Sequence, residues 1–90
     1  MKRAKIVVHG EVQGVWFRAT TDKIGKKLGL KGYVRNTSDG CVEIVCEGSE
    51  ESIKTLLEFC NEGPELANVT KVDINYSEPN NEFTTFEIRY

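Results

Sequence analysis

Ninety residues are enough for one hydrophobic core and not for two, because a chain of this length buries only about 60–65% of the surface it exposes when unfolded. Residues 1–90 are therefore read as a single domain whose site is a surface cleft. Twelve Lys and Arg against fourteen Asp and Glu give a net charge of −2 and a pI near 5.4, the reverse of the basic footprint that nucleic acid requires, so a small anionic ligand held locally is the better fit.

Met1-Lys2-Arg3 opens like a signal-peptide n-region, but only Ile6, Val7 and Val8 follow before His9 and Gly10, too few for its apolar core. No stretch has transmembrane length. Cys41, Cys46 and Cys60 are odd in number and lack Cys-x-x-Cys spacing, which points to neither a disulfide framework nor a zinc site. A cytoplasmic monomer without membrane contact is expected.

Lys5 to His9 reads as a buried strand. The loop after it is bracketed by Gly10 and Gly14, and from Phe17 the pattern turns helical through Thr21, Ile24 and Leu28, with Gly29 as the stop. Gly25 weakens that helix and marks a place where it packs closely on the sheet. Between Gly10 and Phe17 there is no Ser, Thr, Asp or Asn to cap the first turn, so about four N–H groups need an acceptor from elsewhere. Arg18 in that first turn opposes the helix dipole. A phosphate would answer both oddities, with the glycines letting several N–H groups converge on it. A plainer reading stands beside this one: Thr20 and Asp22 cap a helix that starts later, and Arg18 is a solvated loop residue.

Lys31 to Asn36 reads as a second strand, Thr37-Ser38-Asp39-Gly40 as a hairpin turn, and Cys41 to Glu47 as a third strand with Val42, Ile44 and Cys46 on one face. Gly48-Ser49-Glu50-Glu51 starts a second helix carrying Ile53, Leu56, Leu57 and Cys60 at helical spacing, ended by Gly63-Pro64. Val69 to Tyr76 alternates as a fourth strand, and Phe86, Ile88 and Tyr90 as a short last one. This order, βαββαβ plus a C-terminal edge strand, gives an α+β sandwich of the split-βαβ or ferredoxin-like kind, with two helices on one face of an antiparallel sheet.

Most familiar chemistries lack their parts. His9 is the only histidine and reads as a polar strand-end residue; no Gly-x-Ser-x-Gly elbow presents a serine to it. No cysteine is followed by a phosphate-loop arginine, and neither Gly-x-x-x-x-Gly-Lys-Ser/Thr nor Gly-x-Gly-x-x-Gly occurs. Glu47, Glu50 and Glu51 read as a solvated face plus helix-start acids rather than metal ligands. In the split-βαβ topology, however, the end of strand two lies at the same end of the sheet as the first loop. That brings Asn36 near the cradle, where its amide suits a water or a phosphoryl oxygen, although Asn also opens turns readily.

Val8-His9-Gly10-Glu11-Val12-Gln13-Gly14-Val15-Trp16-Phe17-Arg18 resembles the first signature of the acylphosphatases, a Gly-x-Val-Gln-Gly-Val-x-Phe-Arg core. Gly32-Tyr33-Val34-Arg35-Asn36, then Gly40-Cys41-Val42 and Gly48, resembles the second, and Phe86-Glu87-Ile88-Arg89-Tyr90 is similar to the family's usual ending. The resemblance implies a ferredoxin-like fold and hydrolysis of the carboxyl–phosphate bond of acyl phosphates, with no metal, cofactor or covalent intermediate. It carries phosphate binding onto Arg18 and the backbone of Gly10, Glu11, Val12, Gln13, Gly14, Val15, Trp16 and Phe17, and the orienting of water onto Asn36. Inorganic phosphate or sulfate is then expected as a product-like ligand. The alternative is a non-catalytic module that binds phosphate or carbamoyl phosphate; it would keep Arg18 and could dispense with Asn36.

Overall fold

The computed structural model describes residues 1–90 as β1 (Lys2–Glu11), α1 (Phe17–Lys27), β2 (Lys31–Asn36), β3 (Val42–Gly48), α2 (Glu50–Glu62), β4 (Asn68–Ser77) and β5 (Phe86–Arg89). The strands form one sheet in the order β4-β1-β3-β2-β5. β1 pairs antiparallel with β3 and β4, and β2 antiparallel with β3, which is the expected split-βαβ arrangement. None of the helices is long and apolar enough to cross a membrane.

The C-terminal edge strand is the one whose direction the sequence leaves open. β5 runs parallel to β2, so the sheet is mixed. The cause is connectivity: β4 and β2 run in opposite directions, and residues 78–85 carry the chain across the sheet and reverse it, which aligns β5 with β2. The C-terminal end of β5 therefore lies beside the C-terminal end of β2.

Alternation decides what each face of the sheet does. Ala4, Ile6 and Val8 of β1, Val42, Ile44 and Cys46 of β3, Val34 of β2 and Phe86 of β5 form a single core with Phe17, Ile53, Leu56 and Cys60 from the helices. Each large apolar side chain fully buried there stabilises the fold by about 1.5–3 kcal/mol. A Cβ on Gly25 would sit 2.8 Å from the Phe86 ring, so α1 can approach β5 this closely only with glycine at that position. The two helix starts differ. Ser49 caps α2 by accepting the Ser52 N–H at 3.1 Å, with Glu50 and Glu51 favourable to the dipole. α1 has neither a side-chain cap nor an acid in its first turn.

On the face away from the helices, Glu47 is buried rather than solvated as the sequence suggested. It accepts Arg3 Nη1 at 2.8 Å and the N–H groups of Asn80 and Asn81 at 2.9 and 3.1 Å. These bonds fasten the crossing segment that delivers β5. Burial pushes the Glu47 carboxyl up, but the Asn80 N–H, Arg3 and the Asn81 N–H together outweigh it and hold the group below the usual carboxylate range. A depressed folded pKa contributes stability that is present above the unfolded value, about 4.3, and is lost as pH falls through the folded one. We therefore expect Glu47→Gln to lower stability at neutral pH and to flatten its decline under acid. Urea midpoints measured from about pH 3 to pH 7 check this, and an acid limb as steep in the variant as in the wild type would contradict it.

Candidate active site

β1 runs further than the sequence suggested. Gly10 and Glu11, read as the start of the cradle, pair with Val69 and Asn68 of β4 after a register shift at His9/Gly10. Gly10 has φ 122°, and a Cβ there would lie 2.1 Å from the Asn68 carbonyl oxygen, so this glycine serves the strand irregularity. The loop proper is residues 12–16. Val12 and Phe17 are buried at its two ends and anchor it in the core. Between them the backbone turns sharply, with φ 73° at Gly14 and φ 67°, ψ 14° at Trp16.

That turn leaves a row of donors without partners. The first helical bond runs from the Thr20 N–H to the Trp16 carbonyl at 3.0 Å, and the Thr20 hydroxyl donates to the same oxygen at 2.9 Å. Thr20 therefore does not cap a later helix, and the plainer reading of this segment fails. No N–H of Gly14, Val15, Trp16, Phe17, Arg18 or Ala19 donates to a backbone carbonyl or to a side chain. Arg3 and Arg35 are neutralised by Glu47 and Glu43. Arg18 forms no ion pair, and its guanidinium lies 4.8 Å from the centroid of the Tyr90 ring.

A cleft of about 300 Å³ opens beside this turn, and both Arg18 and Asn36 line it. Asn36 arrives by register: Val42 pairs with Val8 on one side and Asn36 on the other, placing Asn36 two strands from β1, roughly 10 Å. Its Oδ1 is buried and has no hydrogen-bond partner. Such an atom costs about 1–3 kcal/mol unless a donor reaches it.

The sequence profile of the acylphosphatases matches residues 4–88. The chain belongs to the acylphosphatase family. It is 48% identical over 88 residues to the acylphosphatase of Methylococcus capsulatus, covering 98% of this chain and 96% of that one. It also superimposes on the crystal structure of acylphosphatase from Bacillus subtilis with a TM-score of 0.95 and 34% identity, each chain covered completely. HypF from T. kodakarensis contains a similar unit, with a TM-score of 0.84 and 34% identity, the match covering all of this chain and 12% of that one.

In this member of the family the two signature stretches meet in one cleft, but not all of their residues line it. Val12, Gly14, Trp16 and Phe17 do, together with Arg18 and Asn36. Gly10, Glu11, Gln13 and Val15 do not. The Gln13 amide is engaged elsewhere, its Nε2 donating to the carbonyls of Thr37 and Cys41, both at 2.8 Å. That clamp ties the loop to the β2–β3 turn and so sets the spacing between the row of donors and Asn36. Three lining residues, Ala19, Ile88 and Tyr90, were not anticipated. The alternation of Phe86, Ile88 and Tyr90 was visible in the sequence, and the direction of their strand was not.

His9 lies outside the cleft. Its Nε2 is 2.9 Å from Asp73 Oδ2 and its Nδ1 is 3.3 Å from Cys41 Sγ, linking β1 to the start of β3 and to β4. The hydrogen bond from His9 holds the Asp73 carboxyl below its usual range. Burial, reinforced by Asp39, pushes the Cys41 thiol up, which disfavours a thiolate nucleophile. Cys46 and Cys60 are pushed up to about 12 by burial, and all three cysteines are free and buried.

Proposed function

We propose that this protein, acting as a cytoplasmic monomer, hydrolyses acyl phosphates to a carboxylate and inorganic phosphate in the cleft between Arg18 and Asn36. Arg18 and the N–H groups of the loop and first turn of α1 bind the phosphoryl oxygens. Asn36 holds the attacking water, and no metal, cofactor or covalent intermediate takes part. Membership of the family and the relatives named above support the reaction class. Free, buried cysteines suit a reducing compartment.

The observation that carries the reading is that Asn36, whose amide oxygen has no partner within the protein, lines the same cleft as the unpaired Arg18. A bare carbonyl oxygen repels phosphoryl oxygens and accepts from water. A module that only held phosphate would need Arg18 and the N–H groups, and would gain nothing from that acceptor. The chemistry asks for little more. The leaving group is a carboxylate, a weak base that departs without a proton, so no general acid is required. Charge in a loose phosphoryl-transfer transition state spreads over the equatorial oxygens, where the guanidinium and the N–H groups stabilise it, while water held by Asn36 stands in line behind phosphorus. A phosphoryl oxygen of the substrate takes the proton from that water.

Release of phosphate from benzoyl phosphate by purified protein tests the reading. Turnover is expected to survive a strong chelator, and simple phosphate monoesters, whose alkoxide leaving group nothing here protonates, are expected to stay intact. Inorganic phosphate should inhibit competitively and, at a hundredfold excess over its dissociation constant, raise stability by about 2.7 kcal/mol. Arg18→Ala should abolish that gain; an equal gain in the variant would mean that the anion binds elsewhere.

A further inference from the structure

Resting on the acyl phosphate reading, we infer that His9 is a positioning residue for the reaction: from the face of the sheet opposite the cleft it holds, through Cys41, the turn that presents Asn36. Val34 and Asn36 are two apart on β2, so Asn36 shares the helix-covered face with the core residue Val34. His9 and Asp73 each follow a core-facing valine, Val8 and Val72, and so point the other way. His9 therefore acts on the cleft only from behind.

The turn of residues 37–41 is closed by bonds within itself. The Thr37 N–H donates to the Cys41 carbonyl at 2.9 Å, the Cys41 N–H to Thr37 Oγ1 at 3.1 Å, and the Gly40 N–H to the Thr37 carbonyl at 3.3 Å. Beyond the strands that enter and leave it, two side chains tie this turn to the rest of the protein. Gln13 donates to the Thr37 and Cys41 carbonyls, and His9 Nδ1 meets Cys41 Sγ at 3.3 Å. Asn36 is the residue before Thr37 and pairs in register with Val42, the residue after Cys41, so a shift of Cys41 moves Asn36 on both counts. The phosphate half of the cleft is anchored separately, by Val12 and Phe17 in the core, and stays in place when the turn loosens.

Asp73 determines how His9 makes its contact. An ionised carboxylate only accepts, so the Nε2 at 2.9 Å from Asp73 carries the hydrogen. The neutral ring then has a bare Nδ1, which accepts from the Cys41 thiol, and burial keeps the proton on that sulfur. Asp73 thus sets both the tautomer and the orientation of the ring. A thiol is a weak donor, and the contact matters for where it puts Cys41 rather than for the stability it adds.

The test is steady-state kinetics on benzoyl phosphate for wild type, His9→Phe, His9→Asn and His9→Gln, and for Asn36→Ala with and without His9→Phe. His9→Phe should lower kcat about tenfold and leave KM within about twofold, short of the roughly 10²-fold that a misplacement of about 1 Å costs. The two amide variants locate the contact that matters, because an Asn amide reaches the place of Nδ1 and a Gln amide that of Nε2. His9→Asn should keep most of kcat, and His9→Gln should behave like His9→Phe. Both amides suit a part-exposed strand position, so their comparison stands even if phenylalanine prevents folding. In the Asn36→Ala background His9→Phe should cost nothing further, since the group it positions is gone. The same fold loss in both backgrounds, a raised KM, or better rescue by Gln than by Asn would overturn the inference while leaving the hydrolase reading intact. The NMR resonances of the Asn36 side-chain amide supply a readout independent of turnover. They should move in His9→Gln and stay near their wild-type positions in His9→Asn. Resonances unmoved in His9→Gln would overturn the positioning role even in a protein that hydrolysed nothing, whereas a wild type without turnover would refute the proposed function.

Discussion

Arg18→Ala should lower kcat/KM for benzoyl phosphate by about 10³-fold or more, the effect of removing a guanidinium that stabilises a phosphoryl-transfer transition state. Both parameters should suffer, because in the proposed mechanism the same group binds the ground-state phosphate and meets the charge as it develops. Arg18→Lys should recover only part of the loss: it keeps the charge but not the planar fork that matches two phosphoryl oxygens. Stability should hardly move. Removing a cation from the first turn of α1 relieves about 0.3–1 kcal/mol of opposition to the dipole, and losing the contact with the Tyr90 ring forfeits about 0.5–1 kcal/mol. A variant that lost activity and melted far below the wild type would point to a structural role. Steady-state kinetics paired with thermal melts separate the two.

Asn36→Ala should lower kcat by about 10²–10³-fold, the effect of losing one preorganised polar group, with KM little changed, since in the proposed mechanism Asn36 meets the water rather than the bound phosphate. Asn36→Asp is the sharper variant. It keeps the size and an acceptor oxygen but sets a carboxylate beside a multiply charged phosphate, so at neutral pH repulsion should make it worse than alanine. Acidification should recover part of that deficit relative to alanine as the carboxyl takes up a proton, because the neutral acid can both donate and accept. The check is kcat and KM for both variants and wild type from about pH 4 to pH 8, spanning the carboxylate range, with circular dichroism confirming the fold. Wild-type activity in Asn36→Asp at neutral pH would assign Asn36 to turn chemistry and leave the water to another group.

The positions of Arg18 and Asn36 were partly legible from the residues, and their roles came only with the resemblance to the family's signatures. An uncapped helix start is visible as missing residue types, and the register that brings Asn36 across follows from a split-βαβ topology once the strands are recognised by alternation. Ile88 and Tyr90 were not legible, because their place depends on the direction of a short strand. That direction follows from the crossing of residues 78–85, which Glu47 fastens through the Asn80 and Asn81 N–H groups, pairings that join distant parts of the chain through backbone donors and leave no periodic trace. Gln13 misled for a related reason. The motif shows that a glutamine stands in the loop, and only the fold shows its amide bonded to the Thr37 and Cys41 carbonyls. Glu47 looked like part of an acidic surface because a charge buried beneath a crossing segment reads, one residue at a time, like any exposed one.

Hydrolysis of benzoyl phosphate in heavy-oxygen water tests most directly whether water held by Asn36 attacks phosphorus in the cleft. We expect a single turnover to place one solvent oxygen in the released phosphate and none in the benzoate, with Asn36→Ala slowing the reaction without moving the label. Label in the benzoate would mean attack on the carbonyl carbon and would contradict the mechanism, and so would the absence of turnover by the pure, folded protein.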